Sequence, residues 1–470
     1  MSSGPPNILL LMTDQQRYDS LGCYGAAFAH TPNLDRLATS GVLFEHCYAN
    51  NPICTPSRAS LMTGKHILDH GVCQLNDHLS PEEVLFPARL RDLGYHTALF
   101  GKLHVAAGAT ESQSRHPNDG FDIYELCNEG SAHMDAPHQA YARWLEERDP
   151  AFYARLKTEG RGVTHVPNHL HMSHWAAERS IAFLEKERDK DKPFFCMMSV
   201  FEPHNPYEHY PKEMGGLVDR DAIPSPTARG DGPEPADIDR ERHENYYADF
   251  DTLSSDDIAT MRHGYHASVA YGDLEFGRVL KRLETLGLAE NTLVIFTSDH
   301  GDMLGDHDLL VKGAFFYEPN VRVPLLMRWP QGIEGGRSVP GPVQLHDLAA
   351  TILHAAGIAD ATVTAAMPDA RDLLPMARGD VDEVHDGVFC CYRNSGMCAG
   401  HSDWDPPINA TMIRRGRYKL NLWHDSGAGE LFDLERDSME QDNLWEVTEM
   451  KELRDYMVAQ LDGWLARKSL

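Results

Sequence analysis

The chain has 470 residues, with 43 Lys plus Arg against 71 Asp plus Glu and a formal net charge of -28 at pH 7. That surplus of carboxylates excludes nucleic acid and anionic membrane as general partners, and 42% apolar with 24% charged residues excludes a disordered polymer. By length the chain holds about three domain-sized units, or one large α/β core with a smaller unit appended. The opening Met1-Ser2-Ser3-Gly4-Pro5-Pro6 has no basic region, and the apolar run Ile8 to Met12 is too short for a signal core or a membrane span. A cytoplasmic protein is the expectation. The 9 cysteines are too sparse for a disulfide framework and form no Cys-x-x-Cys pair, so reduced thiols are expected.

Asn7 to Thr13 is a continuous apolar run, the pattern of a strand buried on both faces of a parallel sheet. Asp14 and Gln15 follow it, at the strand end where open α/β sheets bind ligands. They are placed either to hold a hard cation or, for Asp14, to cap a helix. Thr31 to Leu37 opens an amphipathic helix that Gly41 closes. In Ile53-Cys54-Thr55-Pro56-Ser57-Arg58, Pro56 pre-sets the first turn of a helix and places Cys54 just before its N-terminus, where unpaired amides favour an anion. A reactive thiol and a buried thiol beside a cap both fit. Ser80-Pro81-Glu82-Glu83 reads as cap and first turn of a helix kinked or restarted at Pro87 and ended by Gly94.

His96 to Phe100 is a short strand, and alternation along it predicts Lys102 and His104 on one side, as half of an active site or as a solvated loop pair. Residues 118–192 read as polar substrate-side insertions with helices at Tyr141 to Arg148 and Trp175 to Glu187. Pro193 to Phe201 is another buried strand, and two prolines fix the loop that carries His204. Residues 229–255 read as a lid or a disordered loop. A long helix over Asp257 to Leu286 precedes the strand Asn291 to Thr297, after which Asp299 and His300 repeat the strand-end pattern of Asp14 and Gln15. Lys312 lies in a loop before the strand Val321 to Arg328, and Gln344 to Ala356 is a helix. Beyond Pro375, strands at Gly387 to Tyr392, Thr411 to Trp423 and Glu430 to Asp433 precede a final helix, Val447 to Ala466, with Leu453, Met457, Leu461 and Leu465 on one stripe. The predicted fold is α/β: a large, mostly parallel sheet flanked by helices over 1–375, then a smaller antiparallel sheet plus helix over 376–470.

Taken in order, Asp14-Gln15, Cys54 with Arg58, Lys102-x-His104, His204, Asp299-His300 and Lys312 resemble the type I, formylglycine-dependent sulfatases of the alkaline phosphatase superfamily. The resemblance implies that Cys54 is converted to formylglycine by a formylglycine-generating enzyme and that one oxygen of the hydrated aldehyde attacks sulfur. It implies one divalent cation held by Asp14, Gln15, the modified Cys54, Asp299 and His300; the oxygen donors suit calcium, with manganese and magnesium admitted. Arg58 and Lys102 hold the diol and Lys102 and Lys312 bind the sulfuryl oxygens. His204 or Lys312 assists the leaving group, and His104 is the base that releases sulfate.

Gln15 and His300 stand where many sulfatases have an acid and an asparagine. Both variants resemble the branch of bacterial arylsulfatases, choline sulfatases and phosphonate monoester hydrolases. The intact Lys102-x-His104 pair favours hydrolysis of small-molecule sulfate esters. Phosphonate monoester or phosphodiester hydrolysis at the same site is the leading alternative, and an inactive binding protein of the same fold the alternative of another class. A two-zinc phosphatase would need a second ligand set and a Ser or Thr nucleophile. A homodimer or tetramer is implied by the same branch. Asn76 and His78 are further pocket candidates by their spacing from Cys54.

Overall fold

The computed structural model describes residues 4–230, 232–399 and 403–468. Its main sheet carries β1 (Asn7–Asp14), β2 (Val42–Tyr48), β3 (His96–Gly101), β4 (Ile123–Leu126), β5 (Phe194–Pro203), β6 (Thr292–Ser298), β7 (Arg322–Arg328), β8 (Arg337–Val339) and β9 (Val343–Gln344). The order is β4-β3-β5-β1-β6-β7-β2-β8, with β9 also paired to β2. Neighbours from β4 to β6 are parallel, whereas β7 runs antiparallel to both β6 and β2. Alternation along β1 explains the two-sided core. Leu9 and Leu11 enter the cluster under the long helix Ser255–Thr285, while Ile8, Leu10 and Met12 enter the one under the helices Cys54–Thr63 and Asp347–Ala355. The Ser254 and Asp257 capping box starts the long helix.

The second sheet is antiparallel, β10 (Val388–Arg393), β11 (Asn409–Arg415), β12 (Tyr418–Trp423) and β13 (Gly429–Asp433). The predicted strand over 411–423 is two strands with Gly416 in the left-handed region between them. The last helix, Lys451–Lys468, lays Met457 and Leu461 on Ile413, Leu420 and Leu431, with Leu453 and Leu465 half-buried beside them. The stripe is therefore core. A third cluster joins the two sheets: Tyr48, Ile53 and Cys54 pack with Phe315, Phe316, Tyr392, Met412 and Trp423. The small sheet thus seats the start of the helix that bears Cys54.

Four local expectations change. Ser80–Glu83 is a turn and the helix is only Phe86–Asp92, because Pro87 fits its first turn and nothing upstream is amphipathic. Within 118–192, β4 extends the main sheet and the helix Met172–Ala182 buries Trp175 and Ala177 against it, so much of this segment is core. Within 229–255 a helix, Ala236–Glu244, buries Ile238 and Glu241. Its carboxylate anchors Ala314 N, and Tyr246 N donates to Met397 O at 3.1 Å, which ties this segment to the small sheet. Cys54 is the first helical residue rather than the one before it. Among the described residues no helix is long and apolar enough to cross a membrane.

Candidate active site

Five strand ends converge on one cavity of about 190 Å³, lined by Cys54, Lys102, His104, His204 and Lys312. β1 delivers Asp14, β2 leads into the Cys54 helix, β3 delivers Lys102, β5 delivers His204, and β6 delivers Asp299 and His300. Strand alternation is not what places Lys102 and His104. β3 stops at Gly101, whose φ of +115° turns the chain where a Cβ would lie 1.8 Å from Ser199 O, so only glycine fits. His104 then sits at φ +61°. Asn76 lines the cavity too, whereas His78 turns away to Asn76 O and Thr110 Oγ1.

Arg58 is the hub of the floor, fully buried. Its Nε donates to Asp299 Oδ2 at 2.6 Å, Nη2 to Asp14 Oδ2 at 3.2 Å, and Nη1 to Lys102 O at 3.1 Å and Ser199 Oγ at 3.0 Å. Lys102 Nζ also pairs with Asp14 Oδ2. Burial alone would raise the Asp14 carboxyl, but Lys102 and Arg58 outweigh it and hold it well below the usual carboxylate range. The same contest, with Arg58 the main cation, lowers Asp299. Asp299 Oδ1 accepts from Gln15 N and His300 N, both at 3.0 Å, and Ser57 Oγ donates to Asp299 O at 2.6 Å. Both acids are therefore ionised and fixed.

Two imidazoles face the floor in defined tautomers, since a carbonyl can only accept. His300 Nδ1 donates to Gly301 O at 2.9 Å and His204 Nδ1 to Asn205 O at 2.6 Å, so each presents an Nε2 lone pair. Both lone pairs accept from Lys312 Nζ, at 3.2 and 3.1 Å, and the same ammonium lies 3.8 Å from Cys54 Sγ. Burial would push the Cys54 thiol up, but Lys312 and Lys102 outweigh it and bring it down to about 7. Burial, reinforced by Lys312, holds His204 well below its ordinary range and therefore neutral.

The donor set fits a divalent cation. Ligand atoms of Asp14, Asp299 and His300 lie within 4.8 Å of one another. Asp14 Oδ1 and Gln15 Oε1 are buried without a hydrogen-bond partner among the described residues, a costly state for acceptors unless a cation meets them. Gln15 is oriented by its own Nε2, which donates to Asp302 Oδ2 at 2.6 Å. Tyr207 Oη donates to the same oxygen at 2.7 Å. Asp302 lies in the Asp299-His300-Gly301-Asp302 run, yet nothing in that spacing told a ligand from the residue that aims one. Arg161 and Glu129, a bidentate pair on the cavity wall at 2.6 and 2.7 Å, carried no sequence signal because they come from irregular segments. A cavity of about 1050 Å³ between His66, His346 and Trp464 holds none of these groups.

The sulfatase family profile matches residues 6–358, and the profile described as N-sulphoglucosamine sulphohydrolase, C-terminal, matches 305–466. An arylsulfatase of Clostridium perfringens is 30% identical over 480 residues, covering 97% of this chain and 95% of its own length. A choline-sulfatase of Rhizobium meliloti is 29% identical over 464 residues, covering 95% of this chain and 83% of its own. The crystal structure of the phosphonate monoester hydrolase of Agrobacterium radiobacter superposes with a TM-score of 0.82 at 25% identity, covering 98% of this chain and 96% of its own. The chain belongs to the sulfatase family, and its fold is that of the solved relative.

Proposed function

We propose that the chain hydrolyses sulfate monoesters, with Cys54, oxidised to formylglycine by a separate maturation enzyme, supplying the nucleophile. The observation that carries this reading is Lys312. It is 2% exposed, touches a thiol and two imidazoles, and has no carboxylate within ion-pair distance among the described residues. A buried ammonium without a directly paired carboxylate is costly as packing and well placed to meet an anionic ester beside Cys54.

Asp14, Gln15, Asp299, His300 and the oxidised Cys54 would hold one divalent cation, calcium by their oxygen donors, with manganese or magnesium admitted. Such a cation, when bound, supplies Lewis acidity that activates a hydroxyl and offsets charge on the ester oxygens. The chain's own residues do the rest. Arg58 keeps Asp14 and Asp299 ionised and in place, and Lys102 and Lys312 present ammonium protons to the ester oxygens. Of the two candidates for leaving-group assistance, Lys312 holds the proton, because His204 Nε2 accepts from it and so orients it. His104 takes a proton from the second hydroxyl of the hydrated side chain, which expels sulfate. We place this chemistry in a unit of residues 1–375, with 376–470 closing the cavity through Met397; assembly as a dimer or tetramer belongs to the same proposal.

Mass spectrometry of the tryptic peptide containing Cys54, from protein made with the maturation enzyme, tests the nucleophile: an aldehyde or its hydrate is expected, and an unmodified thiol refutes it. Phosphonate monoester or phosphodiester hydrolysis is the second reading, favoured by the likeness to the Agrobacterium enzyme and opposed by the intact Lys102-x-His104 pair. A higher kcat/KM on an aryl phosphonate monoester than on the matching aryl sulfate would reverse the order.

A further inference from the structure

We infer that Thr55 is a positioning residue that fixes His104 as its Nε2–H tautomer and leaves Nδ1 as the proton-accepting atom. Thr55 Oγ1 lies 2.9 Å from Leu75 O and 3.2 Å from His104 Nε2. A hydroxyl carries one proton and a carbonyl can only accept, so that proton goes to Leu75 O. The oxygen then turns a lone pair to Nε2, and Nε2 must donate. His104 lines the Cys54 cavity, and its Nδ1 is buried with no hydrogen-bond partner among the described residues.

The backbone of His104 is held as firmly as its ring. Glu111, 1% exposed, accepts from His104 N at 2.8 Å and Val105 N at 3.1 Å, and Asn128 Nδ2 donates to the same carboxylate at 2.7 Å. That clamp keeps His104 in the left-handed conformation that aims its ring at Thr55. His204 and His300 are fixed in the opposite tautomer by Asn205 O and Gly301 O. Main-chain carbonyls therefore set His104, His204 and His300, directly in the last two and through Thr55 in the first. A helix that begins Cys54-Thr55 couples the nucleophile and the orientation of its base within two consecutive residues.

The inference rests on the proposed function only in naming Nδ1 as the base, so its test begins without turnover. In 15N-histidine-labelled protein with Cys54 left as the thiol, the His104 signals are those lost in His104→Gln. We expect Nε2–H in the wild type and in Thr55→Ser, and a shift toward mixed tautomers in Thr55→Val. Nδ1–H in the wild type, or unchanged Nε2–H in Thr55→Val, overturns the inference. In matured enzyme, single-turnover release of sulfate should slow about tenfold or more in Thr55→Val and recover in Thr55→Ser, short of the roughly 10^2 to 10^4 that loss of a general base costs. Wild-type release in His104→Gln would instead overturn the base assignment while the tautomer result stands, so the two failures are told apart.

Discussion

In the seam between the two sheets, Glu318 accepts from Tyr48 Oη at 2.9 Å, Lys419 Nζ at 3.0 Å and Arg322 Nη1 at 3.3 Å. Lys419, fully buried, also meets Glu440 Oε1 at 2.8 Å. In the Cys54 cavity, equally buried charges leave Asp14 Oδ1, Gln15 Oε1 and His104 Nδ1 without partners, and Lys312 without a carboxylate. Each unpartnered buried acceptor costs about 1–3 kcal/mol, and at Asp14 and Gln15 two of them adjoin the carboxylate and imidazole of Asp299 and His300. Both regions bury ions under the same packing. One pairs its buried cation with two carboxylates and holds the small sheet on; the other leaves its ammonium without a carboxylate beside the nucleophile. Substitutions in the seam should therefore cost stability, and substitutions in the cavity should cost turnover.

The largest break expected is Cys54→Ala. Turnover of an aryl sulfate should fall by about 10^4 or more, the scale of losing a nucleophile, with the circular dichroism spectrum unchanged. An active Cys54→Ala protein would dissolve the contrast at its centre. Next comes Lys419→Met, which leaves Glu318 and Glu440 buried without their shared cation and should cost about 3–5 kcal/mol. Thermal unfolding would show it as a lowered midpoint, while kcat per active molecule stays within about twofold because Lys419 touches nothing in the cavity. A large loss of kcat in the folded fraction would mean the seam is part of the catalytic apparatus.

His204→Ala sharpens the cavity side. Lys312 would lose the lone pair that orients it, so hydrolysis of an alkyl sulfate, whose poor leaving group needs a proton, should fall about 10- to 100-fold. A nitrophenyl sulfate should be affected much less. Equal losses on both esters would remove His204 and Lys312 from leaving-group assistance.

The seam and the cavity also differ in how far they could be read in the residues. The groups Asp14, His204 and Asp299-His300 were legible, because a long apolar run bounded by polar residues is the pattern of a strand buried on both faces. The turn that swings Lys102 and His104 together was not, since it depends on Gly101 passing so close to a neighbouring strand that a Cβ there would lie 1.8 Å from Ser199 O. Lys419 and Glu318 lie 101 positions apart, and nothing local distinguishes Lys419 from a solvated lysine on an edge strand. The helix Ala236–Glu244 was missed for a related reason. Its stretch is acidic and carries few apolar residues, and it is held by long-range bonds from Ala314 N to Glu241 and from Ala399 N to Glu244 O rather than by its own periodicity.

The smallest effect expected marks the boundary of the cavity cluster. Arg161 forks onto Glu129 with Nε and Nη2, yet its side chain is 44% exposed, so solvent screens the pair. Exposed pairs of this kind contribute about 0–1 kcal/mol. Arg161 lines the cavity without touching Cys54, Lys102 or Lys312, and its field is felt by His204 and Asp14. Arg161→Gln should accordingly weaken the attraction for an anionic ester and leave the chemical step alone. We expect KM to rise by up to about fivefold, the equivalent of 1 kcal/mol, with kcat unchanged. The difference should shrink in about 0.5 M salt, where the Debye length falls to a few Å. A fall in kcat at unchanged KM would place Arg161 among the groups that meet the reacting atoms, and the open cluster would then extend to the cavity rim.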